Sequence, residues 1–163
     1  VKIAIKDPTN YVARANICRV AYVPLEDVII SGSTHGYCVH NLEKPMTGTY
    51  HRTHGEMLAI MTPAWMKYCY KMNMPLFVRL CVKCFGAKMD FAHPENTVME
   101  GISNLEDFLT HIGLPTRLSQ IGIDDKEFEY CADLAIAGGT DGYIGKGIKL
   151  YKQDILEVYK LAL

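Results

Sequence analysis

Apolar residues recur every three or four positions along most of this chain, the spacing of one helix face, and no stretch sustains the alternation of a strand. Asp7 and Pro8 read as a cap and first-turn proline opening a helix through Tyr11, Ala15, Cys18 and Tyr22. Pro24 starts a second segment, Leu25 to Ile30, broken near Gly32. The stretch from Ser31 to Tyr50, with its glycines, histidines and Pro45, reads as a loop. From Gly55 an apolar run, Met57 to Met61, continues past Pro63 into Trp65, Met66 and Tyr68. A proline inside that run kinks a helix and demands local compensation. Pro75 opens the next helix, which stops near Gly86.

After a polar loop from Lys88 to Asn96, Thr97 is placed to cap a helix through Val98, Ile102, Leu105, Phe108, Leu109 and Ile112. Gly113 is placed to end it, with Pro115 blocking extension. Asp124 or Asp125 then caps Phe128 to Ile136. A glycine-rich linker, Gly138 to Gly147, leads to a last helix, Ile155 to Leu163. The pattern predicts an all-α, bundle-like single domain over residues 1–163, with about seven helices and no internal repeat.

Composition narrows this little. A chain of 163 residues, 49% hydrophobic and 21% charged, is of a size that buries one core. Its net charge is −1, with lysine and arginine scattered, which argues against nucleic acid or an anionic membrane as partner. No apolar run reaches the roughly 18 residues of a membrane span, and the opening VKIAIKDP does not read as a signal peptide. The first residue is valine, so the expectation is a processed, excised or incomplete polypeptide. Six cysteines inside helical patterns read as free thiols in a reducing, cytoplasmic setting rather than a disulfide framework. Cys81 and Cys84 share a helix face, but with no second pair they read as small core residues.

Candidate chemistry gathers between Val39 and Tyr68, which holds three of the six histidines. Two imidazoles on neighbouring elements are a common half of a catalytic metal site. His51 reads as a solvated loop residue, and His35, His93 and His111 stand in no frame that singles them out. The sequence GGTDGYIGKG is not a phosphate-binding loop: Thr140 stands where the first glycine should be, and Gly147 where the hydroxyl should be. No dinucleotide fingerprint is present either.

His40 and His54, the Thr53-His54-Gly55 triplet, and Thr62, Pro63, Trp65, Met66 and Tyr68 together resemble the second metal-binding segment of the iron-dependent (group III) alcohol dehydrogenases, closest to their butanol dehydrogenase branch. Leu105 to Phe108, His111 to Leu118, Asp154 to Tyr159 and Ala13 to Ile17 extend the likeness over essentially the whole chain. It corresponds to the C-terminal helical domain of that family.

The resemblance implies a two-domain enzyme moving a hydride between NAD(P)H and a small aldehyde or alcohol. Iron(II) or zinc sits there on an Asp, a His and two later histidines, acting as a Lewis acid. His40 and His54 match the two later ligands, and the earlier pair belongs upstream of residue 1. The dinucleotide-binding α/β domain is not in these 163 residues, so NAD(P)H is not expected to bind this domain alone. The partner is then a nucleotide-binding domain, in the same chain or a complementing one, and the fragment is expected to self-associate or form a homo-oligomer. Two ligands of a four-ligand site imply dissociation constants between about micromolar and millimolar, and no catalysis by this domain alone. Lys44 and Pro45 depart from the family pattern, which has a histidine and a glutamate there. Lys44 is the candidate catalytic acid–base, and the departure favours the alternative, a stand-alone, non-catalytic helical binding or assembly domain.

Overall fold

A computed structural model describes residues 1–26 and 36–163. They belong to two compact units, Val1–His35 and Gly36–Leu163. In the first, α1 (Lys2–Lys6) packs against α2 (Tyr11–Tyr22), which runs into a 3-10 turn, Val23–Leu25, containing Pro24. Asn10, not Asp7, caps α2, its Oδ1 accepting from the Ala13 N–H at 3.0 Å. Asp7 is occupied in a tighter turn, accepting from the N–H and hydroxyl of Thr9. The segment expected up to Ile30, with His35, lies outside the described residues beyond Glu26.

The second unit contains α3 (Cys38–Tyr50), α4 (His54–Cys69), α5 (Met74–Phe85), α6 (Pro94–His111), α7 (Phe128–Ala137) and α8 (Lys152–Ala162). Among the described residues there is no strand, only the isolated bridges Thr140–Tyr143 and Ile144–Leu150. The all-α expectation holds. Helix α4 is the hub, packing against α3, α6 and α8, while α5 packs on α6 and α7 on both α3 and α8. That placement explains why α4 is apolar nearly all round. Met57, Ile60, Met61 and Ala64 are buried on it, facing Leu42 and Met46 of α3 and Ile155, Val158 and Tyr159 of α8. Each such large side chain is worth about 1.5–3 kcal/mol when removed from water.

The loop reading of residues 31–50 is corrected over Cys38–Tyr50 by α3, residues 31–35 lying outside the described residues. Val39, Leu42 and Met46 fall at three- and four-residue spacing on one face, and burying that face outweighs the helix-breaking cost of Pro45. Pro45 and Pro63 each lack the N–H that would reach the carbonyl four residues back. In α4 the Thr62 hydroxyl bonds the Leu58 carbonyl at 2.7 Å beside its proline.

Pro75 lies in the first turn of α5, and Gly86, at φ +69, ends that helix as expected. Helix α6 opens at Pro94, a turn earlier than expected. Thr97 is therefore buried inside it, its hydroxyl accepting from the Asp90 N–H at 2.8 Å rather than capping. Glu127 occupies the cap position of α7, while the Asp124 side chain bonds Lys126 and the Asp125 carbonyl receives the Phe128 N–H.

The glycine-rich linker, Gly138 to Gly147, lies mostly at the surface, with Ile144 its buried residue. Ile144 and Leu150 exchange backbone hydrogen bonds and are buried in the core. Gly139 is required because a Cβ there would lie 2.3 Å from the Tyr143 carbonyl oxygen. All six cysteines are free. Cys81 packs in the core as expected, but Cys84 is exposed.

Candidate metal centre

The connection between α3 and α4 aims the second histidine. His51 takes the left-handed conformation, φ 50, and both its N–H and that of Arg52 fall on the Thr47 carbonyl, closing α3. His51 is thus an exposed turn residue. The Arg52 guanidinium bonds the Ile121 carbonyl, and the chain re-enters helix at His54, the first residue of α4, after an extended Thr53. His40 sits in the first turn of α3.

The two imidazole centres lie 5.2 Å apart, their planes tilted by 47°. Tyr37 stands edge-on to His40 at 5.5 Å. Beneath the pair is Glu43, completely buried. Its Oε1 is 2.9 Å from Nδ1 of His54, and its Oε2 accepts the Thr47 hydroxyl at 2.6 Å. Burial first, then the charge of His54, pushes His40 below its ordinary value of 6.5. Glu43 opposes that shift and Lys44 adds to it.

The pair fits half a metal centre. Two imidazoles bound through nitrogen to one tetrahedral ion at about 2.0–2.1 Å have ring centres about 5 Å apart, the separation observed here. Two imidazoles and no thiolate suit iron(II) or zinc without distinguishing them. No cluster of three or more His, Cys, Asp or Glu able to hold a metal occurs among the described residues. The thiols of half-buried Cys38 and buried Cys81 stand apart from this role: desolvation pushes both up to about 11.

The other candidates scatter. Lys44 is exposed and, with Asn41 and Pro45, lines a groove of about 330 Å³ completed by Leu134, Ala135 and Gly138. His93 and His111 are exposed on other elements, His93 facing Glu95 at 3.6 Å. Trp65 and Tyr68 serve packing, Trp65 against Phe77 and Tyr68 through a hydrogen bond to Asp154. Glu43 was missed in the sequence. Its signal was position: three residues after His40, it shares that face only if the segment is helical.

The fold is all-helical among the described residues, with an imidazole pair at one helix junction. The whole chain, residues 1–163, matches the Fe-containing alcohol dehydrogenase family, C-terminal, and it belongs to that family. It is 31% identical over 159 residues to the probable NADH-dependent butanol dehydrogenase 1 of Bacillus subtilis, covering 98% of this chain and 40% of that protein. It is 29% identical to NADH-dependent butanol dehydrogenase A of Clostridium acetobutylicum, covering 98% and 41%.

The crystal structure of NADH-dependent butanol dehydrogenase A from Thermotoga maritima superposes with a TM-score of 0.86 at 28% identity, over 99% of this chain and 42% of that one. The aldehyde reductase YqhD from E. coli shares the fold at a TM-score of 0.89 and 21% identity, over 98% of this chain and 41% of that one. The chain spans about two fifths of the length of the curated relatives it matches. No helix among the described residues is long and apolar enough to cross a membrane.

Proposed function

We propose that this chain is the metal-site half of an NAD(P)H-dependent alcohol dehydrogenase or aldehyde reductase, contributing His40 and His54 as two ligands of an iron(II) or zinc ion. The observation that carries the reading is the imidazole pair, 5.2 Å between ring centres, with His54 held from behind by Glu43 at 2.9 Å. Lewis acidity toward the carbonyl oxygen of a small aldehyde is the chemistry such an ion supplies when bound. His40 and His54 give nitrogen lone pairs from two helices whose packing fixes the spacing between them. Lys44, exposed one turn after His40, is the side chain we assign to proton delivery, from its Nζ, where the family pattern has histidine.

The remaining two ligands, an Asp and a His, come from outside these residues, and the nicotinamide site belongs to a nucleotide-binding domain, in the same polypeptide or a complementing one. The named relatives include both NADH-dependent and NADPH-dependent proteins, and the choice between the two cofactors is made in that domain. A cytoplasmic homo-oligomer acting on a small alcohol or aldehyde is the setting this reading implies.

The test is the intact mass of the native polypeptide, with its metal content and its NADH- or NADPH-dependent reduction of butyraldehyde. A polypeptide of which these 18.3 kDa are about two fifths, binding one metal and losing turnover on His54→Ala, is expected. A native chain of 18.3 kDa that recruits no second chain and reduces no aldehyde overturns the reading, leaving the non-catalytic binding or assembly module.

A further inference from the structure

Glu43 is the only charged side chain buried from solvent among the described residues. Carboxyl groups are rarely placed so unless paired, because removal from water is costly. Here the partner is neither lysine nor arginine but an imidazole that is itself 55% exposed. For stability alone this is a poor exchange: the buried member carries the desolvation cost, and the exposed member has water as an alternative partner. The arrangement does accomplish one thing. A carboxylate at Nδ1 takes that nitrogen's proton as a hydrogen bond and leaves Nε2 unprotonated, with its lone pair free, on the outward side of the ring.

We propose that Glu43 is a positioning residue for His54, fixing its Nδ1–H tautomer and ring orientation so that Nε2 serves as a metal ligand, with Thr47 holding Glu43 in turn. The chain of contacts is continuous and local. Thr47 lies one turn after Glu43 on α3 and donates its hydroxyl to Oε2 at 2.6 Å, which fixes the carboxyl plane. Oε1 then meets His54 at 2.9 Å across the helix junction. Histidine ligands generally need such a partner on the second nitrogen, and losing it costs about 10–100-fold in metal affinity. The proposal rests on His40 and His54 being ligands, but the tautomer can be observed without any metal.

The experiment uses the full chain labelled with nitrogen-15. Long-range proton–nitrogen NMR without metal is expected to show His54 protonated at Nδ1 and bare at Nε2. Glu43→Gln, whose amide can donate to Nδ1 as well as accept from it, should raise the Nε2–H form. It should also weaken Zn²⁺ binding, read by chelator competition, about 10–100-fold, with helical circular dichroism and melting temperature retained. Thr47→Val, which keeps Glu43 and its fold, should shift both readouts in the same direction by less.

A wild-type His54 in the Nε2–H form overturns the proposal. So does a folded Glu43→Gln variant with unchanged tautomer and unchanged Zn²⁺ affinity. If wild type shows the Nδ1–H form yet neither it nor the complete native protein binds metal, the ligand reading itself fails. If metal binds but ignores both substitutions, only the positioning role fails.

Discussion

Glu43 on α3 and Glu106 on α6 each draw a carboxyl group away from water, but their partners differ in kind. Glu106 lies between two permanent cations, Lys67 at 2.7 Å and Arg117 at 2.6 Å, and all three side chains are largely covered. It ties α4 and α6 to the segment that follows α6. Glu43 faces a half-exposed imidazole and a hydroxyl. A carboxylate flanked by fixed charges can only hold a structure together. One aimed at an imidazole also decides which nitrogen of that ring faces outward. By this contrast the Glu106 site is suited to stability and the Glu43 site to orienting an imidazole.

The largest effect should come from removing a ligand. If four ligands together are worth about 10–16 kcal/mol, one is worth about 3 kcal/mol, or roughly a hundredfold in affinity. His54→Ala is therefore expected to weaken Zn²⁺ binding about a hundredfold, while His93→Ala and His111→Ala leave it within error. Titration of the three variants side by side checks this. Equal losses at His93 would show that binding comes from scattered surface imidazoles.

Next in size is a difference of sign between the two carboxyls. Glu106→Leu strands Lys67 and Arg117 without their shared partner and should cost about 1–3 kcal/mol, less than a fully buried pair because water still reaches both cations. Glu43→Leu strands nothing inside. His54 turns to solvent, and Thr47 has a backbone carbonyl one turn back as an alternative acceptor. Its stability should stay within about 1 kcal/mol of wild type or rise, while its Zn²⁺ affinity falls. Urea unfolding of both variants at neutral pH measures this, and equal destabilisation would erase the distinction.

How much of this was legible follows the same line. Helices α4 to α8 could be read because their apolar spacing is long and their ends carry proline or glycine, as at Pro75, Gly86 and Gly113. Helix α3 was not legible. Pro45 and Gly48 are local signals for a loop, and only packing of Leu42 and Met46 against α4 and α8 overrides them. That misreading hid Glu43, whose closeness to His40 and His54 exists only on a helix. The histidine pair itself was legible from the wording around it, since Thr53, His54 and Gly55 keep their frame whatever α3 does. Thr97 failed as a cap for a related reason: Pro94 begins the helix a turn earlier, so its hydroxyl serves the preceding loop.

The smallest effect is a pH dependence that belongs to Glu106 rather than to the imidazole pair. Burial alone would raise its pKa, but the hydrogen bonds and charges of Arg117 and Lys67 outweigh burial and hold it below the ordinary 4.5. The unfolded chain therefore binds a proton at Glu106 more readily than the folded one as pH falls. The stabilisation is fully present above the unfolded value of about 4.5 and is lost as pH drops through the lower folded value. Glu106→Gln removes this linkage. The stability gap between wild type and Glu106→Gln should thus be constant from neutral pH down to about 5 and shrink below 4.5, measured by urea unfolding across that range. A gap that instead shrinks between pH 6 and 7, where imidazoles titrate, would tie Glu106 to a histidine and remove the contrast with Glu43.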